Sequence, residues 1–198
     1  MKPHIINKKT HFIRGWYIDK NVCTDLITYF ENSPNKTPGV LNLKGGKQGI
    51  NKKKKLSTDV CIRANNQDRE ILNYYKELAK VTEAYKKKYK YCNILQRPWA
   101  LTGDWNLQRY KPNEGYFLKH FEKTGNSTIY RHLTFMTYLN TIKEGGETEF
   151  YYQKLKIKPE TGLTLLWGCD WTFTHRGITS PTETKYIATG WYSYRIEK

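Results

Sequence analysis

The second half of the chain consists of short β-type runs, and this pattern limits the fold more than any other feature. From Trp99 onward, runs rich in Thr, Tyr, Phe, Ile and Trp alternate with turn residues about every ten positions. The pattern predicts strands at residues 105–111, 133–140, 148–157, 163–167, 172–176 and 186–196. Because no helical segment separates these runs, they indicate an antiparallel sandwich or jelly roll.

The first half carries two predicted helices. Asp19 or Asn21 caps a short helix, which ends at Ser33 before a proline. A second helix begins near Asn66, and its apolar face extends over roughly five to six turns. The residues of this face are Ile71, Tyr75, Leu78, Thr82, Tyr85 and Tyr89. The expected fold class is therefore mostly β (α+β), with N-terminal helices flanking the jelly roll.

The length fits a single domain spanning residues 1–198. Residues 1–98 are expected to be helical and loop support, and residues 99–198 the jelly-roll core. The Gly- and Asn-rich residues 35–51 are expected to form an exposed loop, and residues 35–55 are a candidate flap over the site.

The chain is strongly basic, with a formal net charge of +16. Residues 1–98 account for +13 of this charge and residues 99–198 for only +3. The densest runs are the lysines at 52–55 and 86–88. Such a surface favours a nucleic acid or nucleoprotein as an associated partner, but it lies mostly outside the β half.

The four cysteines form no CxxC pair, which excludes a zinc ribbon and a thioredoxin-type motif. We expect reduced thiols and a cytoplasmic location. Residues 1–20 lack the apolar run of a signal peptide or membrane helix, so no membrane association is expected.

Three side chains of the β half have metal-ligand chemistry: His120, Glu122 and His175. Residues i and i+2 of a strand project to the same side, so His120 and Glu122 can face one point. A distant strand then supplies His175. Two histidines and one carboxylate form the facial triad of non-haem Fe(II) oxygenases, which leaves positions open on the metal.

The motifs around these ligands resemble the prolyl 4-hydroxylase branch of the 2-oxoglutarate/Fe(II)-dependent dioxygenases. In chain order they read Y-KPNEGYFLK-H-F-E, R-HLTFMT-YLN, GGETEF, KPETG, THRG and KYIATGW, between residues 110 and 191. The resemblance implies a double-stranded β-helix and the cofactors Fe(II), 2-oxoglutarate and O2, with ascorbate as a reductant. One departure is Glu122, where the family normally has aspartate.

The resemblance also implies roles for individual residues. His120, Glu122 and His175 match the catalytic iron ligands. Lys185 matches the cation that binds the distal carboxylate of 2-oxoglutarate. The positions that match the family's pocket are Tyr110, Tyr138 and Thr189 around the co-substrate, and Arg131 and Trp191 near the substrate.

The activity implied is hydroxylation of a C–H bond coupled to decarboxylation of 2-oxoglutarate to succinate. A peptidyl proline in a peptide or protein is the expected substrate. Free proline or another small molecule stays open, as does a nucleic-acid base. Two further alternatives are a catalytically silent jelly-roll binding module, which Glu122 allows, and a basic binder of single-stranded nucleic acid.

Overall fold

The computed structural model of the protein describes residues 1–6, 12–42, 48–93 and 98–195. Helix α1 (Lys20–Asn32) begins after Asp19, whose side chain accepts a hydrogen bond from the Asn21 N–H at 2.8 Å. It ends at Ser33, whose N–H donates to the Phe30 carbonyl. The predicted caps of the first helix are confirmed.

Helix α2 (Arg69–Lys88) has Glu70 in its first turn and lysines in its last turn, as the helix dipole favours. Its buried residues are Ile71, Tyr74, Leu78, Val81, Thr82 and Tyr85. The predicted stripe is confirmed, and its members Tyr75 and Tyr89 are partly buried where they pack against this core. Tyr74 and Val81, which were not part of the predicted stripe, are also fully buried, because the face turned to the sheet is wider than one i, i+4 row.

Short antiparallel strands make up the rest of the regular structure. They are β1 (Pro3–His4), β2 (Arg14–Tyr17), β3 (Thr37–Pro38), β4 (Leu41–Asn42), β5 (Gln48–Gly49), β6 (Lys55–Leu56), β7 (Thr58–Ile62), β8 (Trp99–Ala100), β9 (Trp105–Tyr110), β10 (Gly115–Tyr116), β11 (Arg131–Tyr138), β12 (Thr148–Phe150), β13 (Leu155–Ile157), β14 (Leu163–Gly168), β15 (His175–Gly177) and β16 (Lys185–Tyr194).

The strands form a large sheet and a smaller facing group. The large sheet has the order β1-β2-β14-β11-β16-β9-β7-β3, and β8 also pairs with β16. The facing group contains the sheet β13-β12-β15 and the pair β10-β6. A single bridge between His120 and His175 links these two pieces. This arrangement is the predicted jelly roll, with its two helices against the large sheet.

Two apolar cores lie on opposite faces of the large sheet. Leu163, Leu165 and Trp167 of β14 belong to the core that includes Phe150 of the facing group. Leu166 of the same strand belongs to the core that includes both helices. The alternation follows from the two-residue period of a strand, and it explains why β14 is buried along most of its length.

Several predicted elements differ from the observed ones. The strand expected over residues 148–157 is a hairpin, because Lys154 adopts a positive φ of 48° in the turn between β12 and β13. In place of a strand over residues 172–176, a 3-10 turn (Trp171–Phe173) precedes β15. The last strand ends at Tyr194, and residue 196 lies outside the described residues.

The first half of the chain supplies more than helices and loops. Strands β2 and β7 lie in the large sheet, and β6 pairs with β10 beside the histidine bridge. The expected loop over residues 35–51 contains the short strands β3, β4 and β5, while residues 43–47 lie outside the described part of the chain. Neither helix, in the ranges described, is both long and apolar enough to cross a bilayer.

Gly190 tests how tightly the helix-side core is packed. A Cβ at this position would lie 2.5 Å from Trp105 Cβ and 2.6 Å from an atom of the Phe135 ring. Both neighbours are fully buried, so neither can move aside freely. We expect Gly190→Ala to lower the free energy of unfolding by about 1–3 kcal/mol in a denaturant titration.

The matched control is Gly103→Ala, because a Cβ at Gly103 meets no heavy atom within 4 Å. It should unfold at nearly the wild-type denaturant concentration. An equal loss of stability in both variants would contradict this description of the core.

Candidate active site

The backbone holds the two histidines of the predicted triad directly opposite each other. The N–H of His120 donates to the carbonyl of His175, and the N–H of His175 donates to the carbonyl of His120, both at 2.9 Å. Directly paired residues of neighbouring strands project to the same side. Their imidazole centroids are 4.4 Å apart.

Both imidazoles are oriented by the same local hydrogen bond. His120 Nδ1 lies 2.9 Å from the Leu118 carbonyl, and His175 Nδ1 lies 2.9 Å from the Phe173 carbonyl. A carbonyl can only accept, so each Nδ1 carries the proton and donates it. Each Nε2 therefore keeps its lone pair, which is the form in which histidine binds a metal.

Glu122 completes the cluster. Its Oε1 lies 3.6 Å from His120 Nε2 and 3.4 Å from His175 Nε2. One ligand atom from each of the three residues lies within 4.8 Å of the other two. Two imidazole nitrogens and a carboxylate oxygen that converge in a largely buried place can hold a cation between them, and this donor set fits Fe(II).

The protonation states also suit a metal. Burial, and then the charge of His175, lowers the pKa of His120 to about 4. Burial acts to raise the pKa of Glu122, but its contacts with both imidazoles and with Arg131 bring it down to about 2. At neutral pH, Glu122 is a carboxylate and His120 is a neutral imidazole, so no proton has to leave either residue before a metal binds.

Two further side chains contact the other carboxylate oxygen of Glu122, Oε2. The Trp191 indole N–H donates to Oε2 at 2.9 Å, and Arg131 Nη1 lies 3.4 Å from the same oxygen. Arg131 also donates to the Glu122 backbone carbonyl at 2.9 Å. Its guanidinium stacks 3.5 Å from the Trp191 ring centroid. The two predicted substrate residues thus both contact the metal-ligating carboxylate.

Aromatic side chains enclose the two histidines. Tyr116 stacks on the His120 ring with centroids 3.8 Å apart and planes inclined by 12°. Phe150 and Trp167 pack against His175 at 5.6 and 5.2 Å. Tyr116 was not predicted as a site residue. Its position four residues before His120, in the short strand β10, could have indicated it.

Lys185 is a buried cation at the start of β16. Only 5% of the residue is exposed, and its Nζ donates to the Gly146 carbonyl at 2.9 Å. Burial lowers its pKa to about 8, which the charge of Glu147 only partly offsets. Within the described ranges it forms no ion pair, so a buried carboxylate group would satisfy it.

Tyr110 lies directly opposite Lys185 in the pairing of β9 with β16. The Lys185 Nζ is 5.1 Å from the Tyr110 ring centroid. The Tyr110 hydroxyl donates to Gln108 Oε1 at 2.8 Å. The ring, more than the hydroxyl, therefore faces the lysine in this structure.

A buried polar network continues from Gln108. Its amide donates to Asp59 Oδ2 at 2.9 Å, and Asp59 also accepts hydrogen bonds from Lys55 and Ser57, each at 2.7 Å. Lys55 Nζ lies 5.6 Å from the ring centroid of Tyr116. The assignment of Lys55 to an exposed lysine run was wrong, because Lys55 is 4% exposed and is paired with Asp59.

The two remaining pocket residues use their polar atoms within the chain. Tyr138 is fully buried, and its hydroxyl donates to Thr148 Oγ1 at 2.6 Å. The Thr189 hydroxyl donates to the Phe135 carbonyl at 3.1 Å. Tyr138 pairs with Ile187, two residues from Lys185 on β16, and Thr189 lies four residues from Lys185 on the same strand. Each hydroxyl is hydrogen-bonded within the sheets of the jelly roll.

The buried charge of Lys185 predicts a pH dependence of stability. The pKa is about 8 in the folded protein and 10.5 for an ordinary lysine, so between these pH values the unfolded chain binds more protons. Folding is therefore favoured as the pH rises through this range. The free energy of unfolding of the wild type should increase relative to Lys185→Met between about pH 8 and pH 10.

Denaturant titrations at several pH values measure this difference in the free energy of unfolding. Protonation of the other groups contributes equally to both proteins and cancels in the difference. The exposed lysine variant Lys158→Met is the matched control and should differ from the wild type by a constant amount. A pH-independent difference for Lys185→Met would show that Lys185 is not desolvated.

Comparison with known proteins agrees with this geometry. Residues 105–193 match the family model described as the 2OG-Fe(II) oxygenase superfamily. No curated protein gives a significant match to the chain.

Solved structures of prolyl hydroxylases share the fold at low sequence identity. A viral collagen prolyl hydroxylase from Paramecium bursaria Chlorella virus-1, in complex with 2OG, has 19% identity and a TM-score of 0.65, covering 93% of this chain and 97% of its own. A prolyl-4-hydroxylase from Pseudomonas putida has 12% identity and a TM-score of 0.66, covering 94% and 95%.

A prolyl hydroxylase from Trichoplax adhaerens, in complex with a peptide fragment of the hypoxia inducible factor oxygen degradation domain, has 18% identity and a TM-score of 0.70. It covers 93% of this chain and 84% of its own. These likenesses concern the fold. The family match adds the chemistry implied by the group: Fe(II), 2-oxoglutarate and O2. Residues 105–193 thus match a 2OG-Fe(II) oxygenase domain, and the chain has the fold of solved prolyl hydroxylases.

Proposed function

We propose that the protein is a 2-oxoglutarate/Fe(II)-dependent dioxygenase and that it hydroxylates a peptidyl proline. The observation that carries the proposal is the converging triad of His120, Glu122 and His175 within the fold of prolyl hydroxylases. The peptide bound in the Trichoplax adhaerens structure supports a peptide as the substrate class. The buried Lys185 supports a dicarboxylate co-substrate beside the triad.

His120, Glu122 and His175 would be the metal ligands. Bound Fe(II) supplies the activation of dioxygen that is coupled to decarboxylation of 2-oxoglutarate. The carbonyls of Leu118 and Phe173 fix both imidazoles with Nε2 toward the metal position. With only these three protein ligands, a bound ion would keep positions open for the co-substrate and dioxygen.

Arg131 and Trp191 would position Glu122 rather than only contact substrate. Glutamate is one methylene longer than the aspartate usual in the family, so its carboxylate has more rotational freedom to lose. The indole N–H and the guanidinium hold Oε2, which leaves Oε1 facing the imidazoles. Trp191 and Arg131 thus lie where the longer side chain of Glu122 reaches them. This supports a working active site over a catalytically silent module.

Lys185 would bind the distal carboxylate of 2-oxoglutarate. A dicarboxylate in a dry pocket needs a cation to offset its desolvation, and an ammonium with further donors supplies one. The Tyr110 ring, anchored through Gln108 to Asp59, would hold the lysine chain in place. Tyr138 and Thr189 would shape the same pocket from within the sheet.

The test is an incubation of the purified protein with a diverse panel of proline-containing peptides, Fe(II), 2-oxoglutarate and ascorbate. We expect some peptides to gain the mass of one oxygen atom, with one succinate released per hydroxylation. His175→Ala should abolish both products because it removes a ligand. His4→Ala, which replaces a histidine that contacts Tyr17, is the matched control and should retain them.

Mass spectrometry locates the added oxygen on the peptide. Succinate release that depends on methylated oligonucleotides, with no oxygen gained by any peptide, would overturn the proposal in favour of a nucleic-acid base as substrate.

A further inference from the structure

Lys55 and Asp59 form an ion pair that is almost completely removed from solvent. Their side chains are only 4% and 8% exposed, and Lys55 Nζ lies 2.7 Å from Asp59 Oδ2. Asp59 belongs to β7 of the large sheet, and its carboxylate also accepts hydrogen bonds from the Ser57 hydroxyl and the Gln108 amide. A buried carboxylate held by several donors has little freedom to move, so Asp59 is a fixed anchor on this sheet.

The lysine of the pair belongs to the two-stranded unit β6-β10. Lys55 lies directly opposite Tyr116 in the pairing of these strands. Its ammonium lies over the Tyr116 ring, 5.6 Å from the ring centroid, and the same ring stacks on the imidazole of His120. The ion pair therefore connects the large sheet to an aromatic ring that contacts a predicted metal ligand.

The backbone beside this lysine has a second connection to His120. The carbonyl of Lys54 accepts hydrogen bonds from the N–H groups of Phe117 at 2.8 Å and Leu118 at 3.2 Å. The Leu118 carbonyl in turn accepts the Nδ1 proton of His120 at 2.9 Å. The stacking ring and the accepting carbonyl, which together orient the imidazole, thus both depend on the position of β6 and the residue before it.

The unit β6-β10 needs an external anchor. Within the ranges described, each of its strands forms a ladder only with the other, and two short strands are weakly stable by themselves. A buried ammonium is tolerated only beside a counter-charge, so the position of Lys55 is set by Asp59. The ion pair therefore fixes the unit against the large sheet.

We propose that Lys55 and Asp59 are positioning residues for the metal ligand His120. The pair holds β6 in place, and β6 holds the ring and the carbonyl that keep His120 Nε2 directed at the metal position. The inference rests on the proposed function, because His120 is one of its proposed metal ligands. The pair acts from outside the ligand cluster.

The experiment removes both charges together in the full chain. Lys55→Met/Asp59→Asn leaves no buried charge unpaired, and replacing a whole buried pair harms folding far less than breaking it. We expect cooperative denaturant unfolding to be retained and the dissociation constant for Mn(II) to rise by about tenfold. The matched control Lys86→Met/Glu83→Gln removes an ion pair of 2.8 Å on α2 and should bind Mn(II) as the wild type does.

The single variant Lys55→Met separates position from charge. Loss of a positive charge near the site would by itself strengthen the binding of a cation, whereas loss of the anchor weakens it. We expect weaker Mn(II) binding, and the double variant decides the question where the single variant does not fold. Tighter binding by Lys55→Met would overturn the inference, as would wild-type affinity in the double variant.

NMR spectra of the imidazole nitrogens give a readout without metal. In the double variant, His120 should show a mixture of both neutral tautomers, because the Leu118 carbonyl is no longer held in place. His175, whose Nδ1 proton is accepted by the Phe173 carbonyl, should keep its wild-type signals and serves as the internal control. Unchanged His120 signals would contradict a positioning role.

Failure of the proposed function gives a different result. In that case the wild type hydroxylates no peptide, yet Mn(II) affinity and the His120 tautomer still depend on the ion pair.

Discussion

The site is arranged around the carboxylate of Glu122, whose side chain is only 11% exposed. A carboxylate removed from water is costly unless donors or cations surround it. On one side, Trp191 and Arg131 contact Oε2 at 2.9 and 3.4 Å. On the other side, Glu122 Oε1 lies 3.6 and 3.4 Å from the two imidazole Nε2 atoms, and a cation bound between these three atoms would add to the compensation. The polar part of the site is therefore balanced when a metal is present.

The jelly roll brings these groups together through the register of its strands. The His120–His175 bridge fixes the two imidazoles across the facing group. Strand β16 of the large sheet carries Lys185 at its start and Trp191 six residues later, and an even separation places both side chains on the same face. One strand thus carries both the proposed co-substrate cation, Lys185, and the indole that donates to Glu122.

The sequence was informative where chemistry and spacing coincide. The triad could be predicted because two histidines and a carboxylate are recognisable residue types, and because the surrounding motifs resemble a known family. The helix ends at Asp19 and Ser33 could be predicted from capping rules. Lys55 could not, because a run of four lysines gives no indication of which one turns inward, and Asp59 selects it only in the folded chain. Tyr116 was missed because stacking on His120 depends on the pairing of β10 with β6, which no local pattern predicts.

Metal affinity reports directly on whether His120, Glu122 and His175 form a metal site fitted to glutamate. Titration of the metal-free protein with Mn(II), which accepts the same ligands, gives the dissociation constant without turnover. Shortening the carboxylate in Glu122→Asp moves it away from Trp191, and loss of such an outer contact weakens metal binding by about tenfold or more. The matched control Glu149→Asp, which alters a carboxylate paired with Arg176, should bind Mn(II) as the wild type does. Equal or tighter binding by Glu122→Asp would contradict the account.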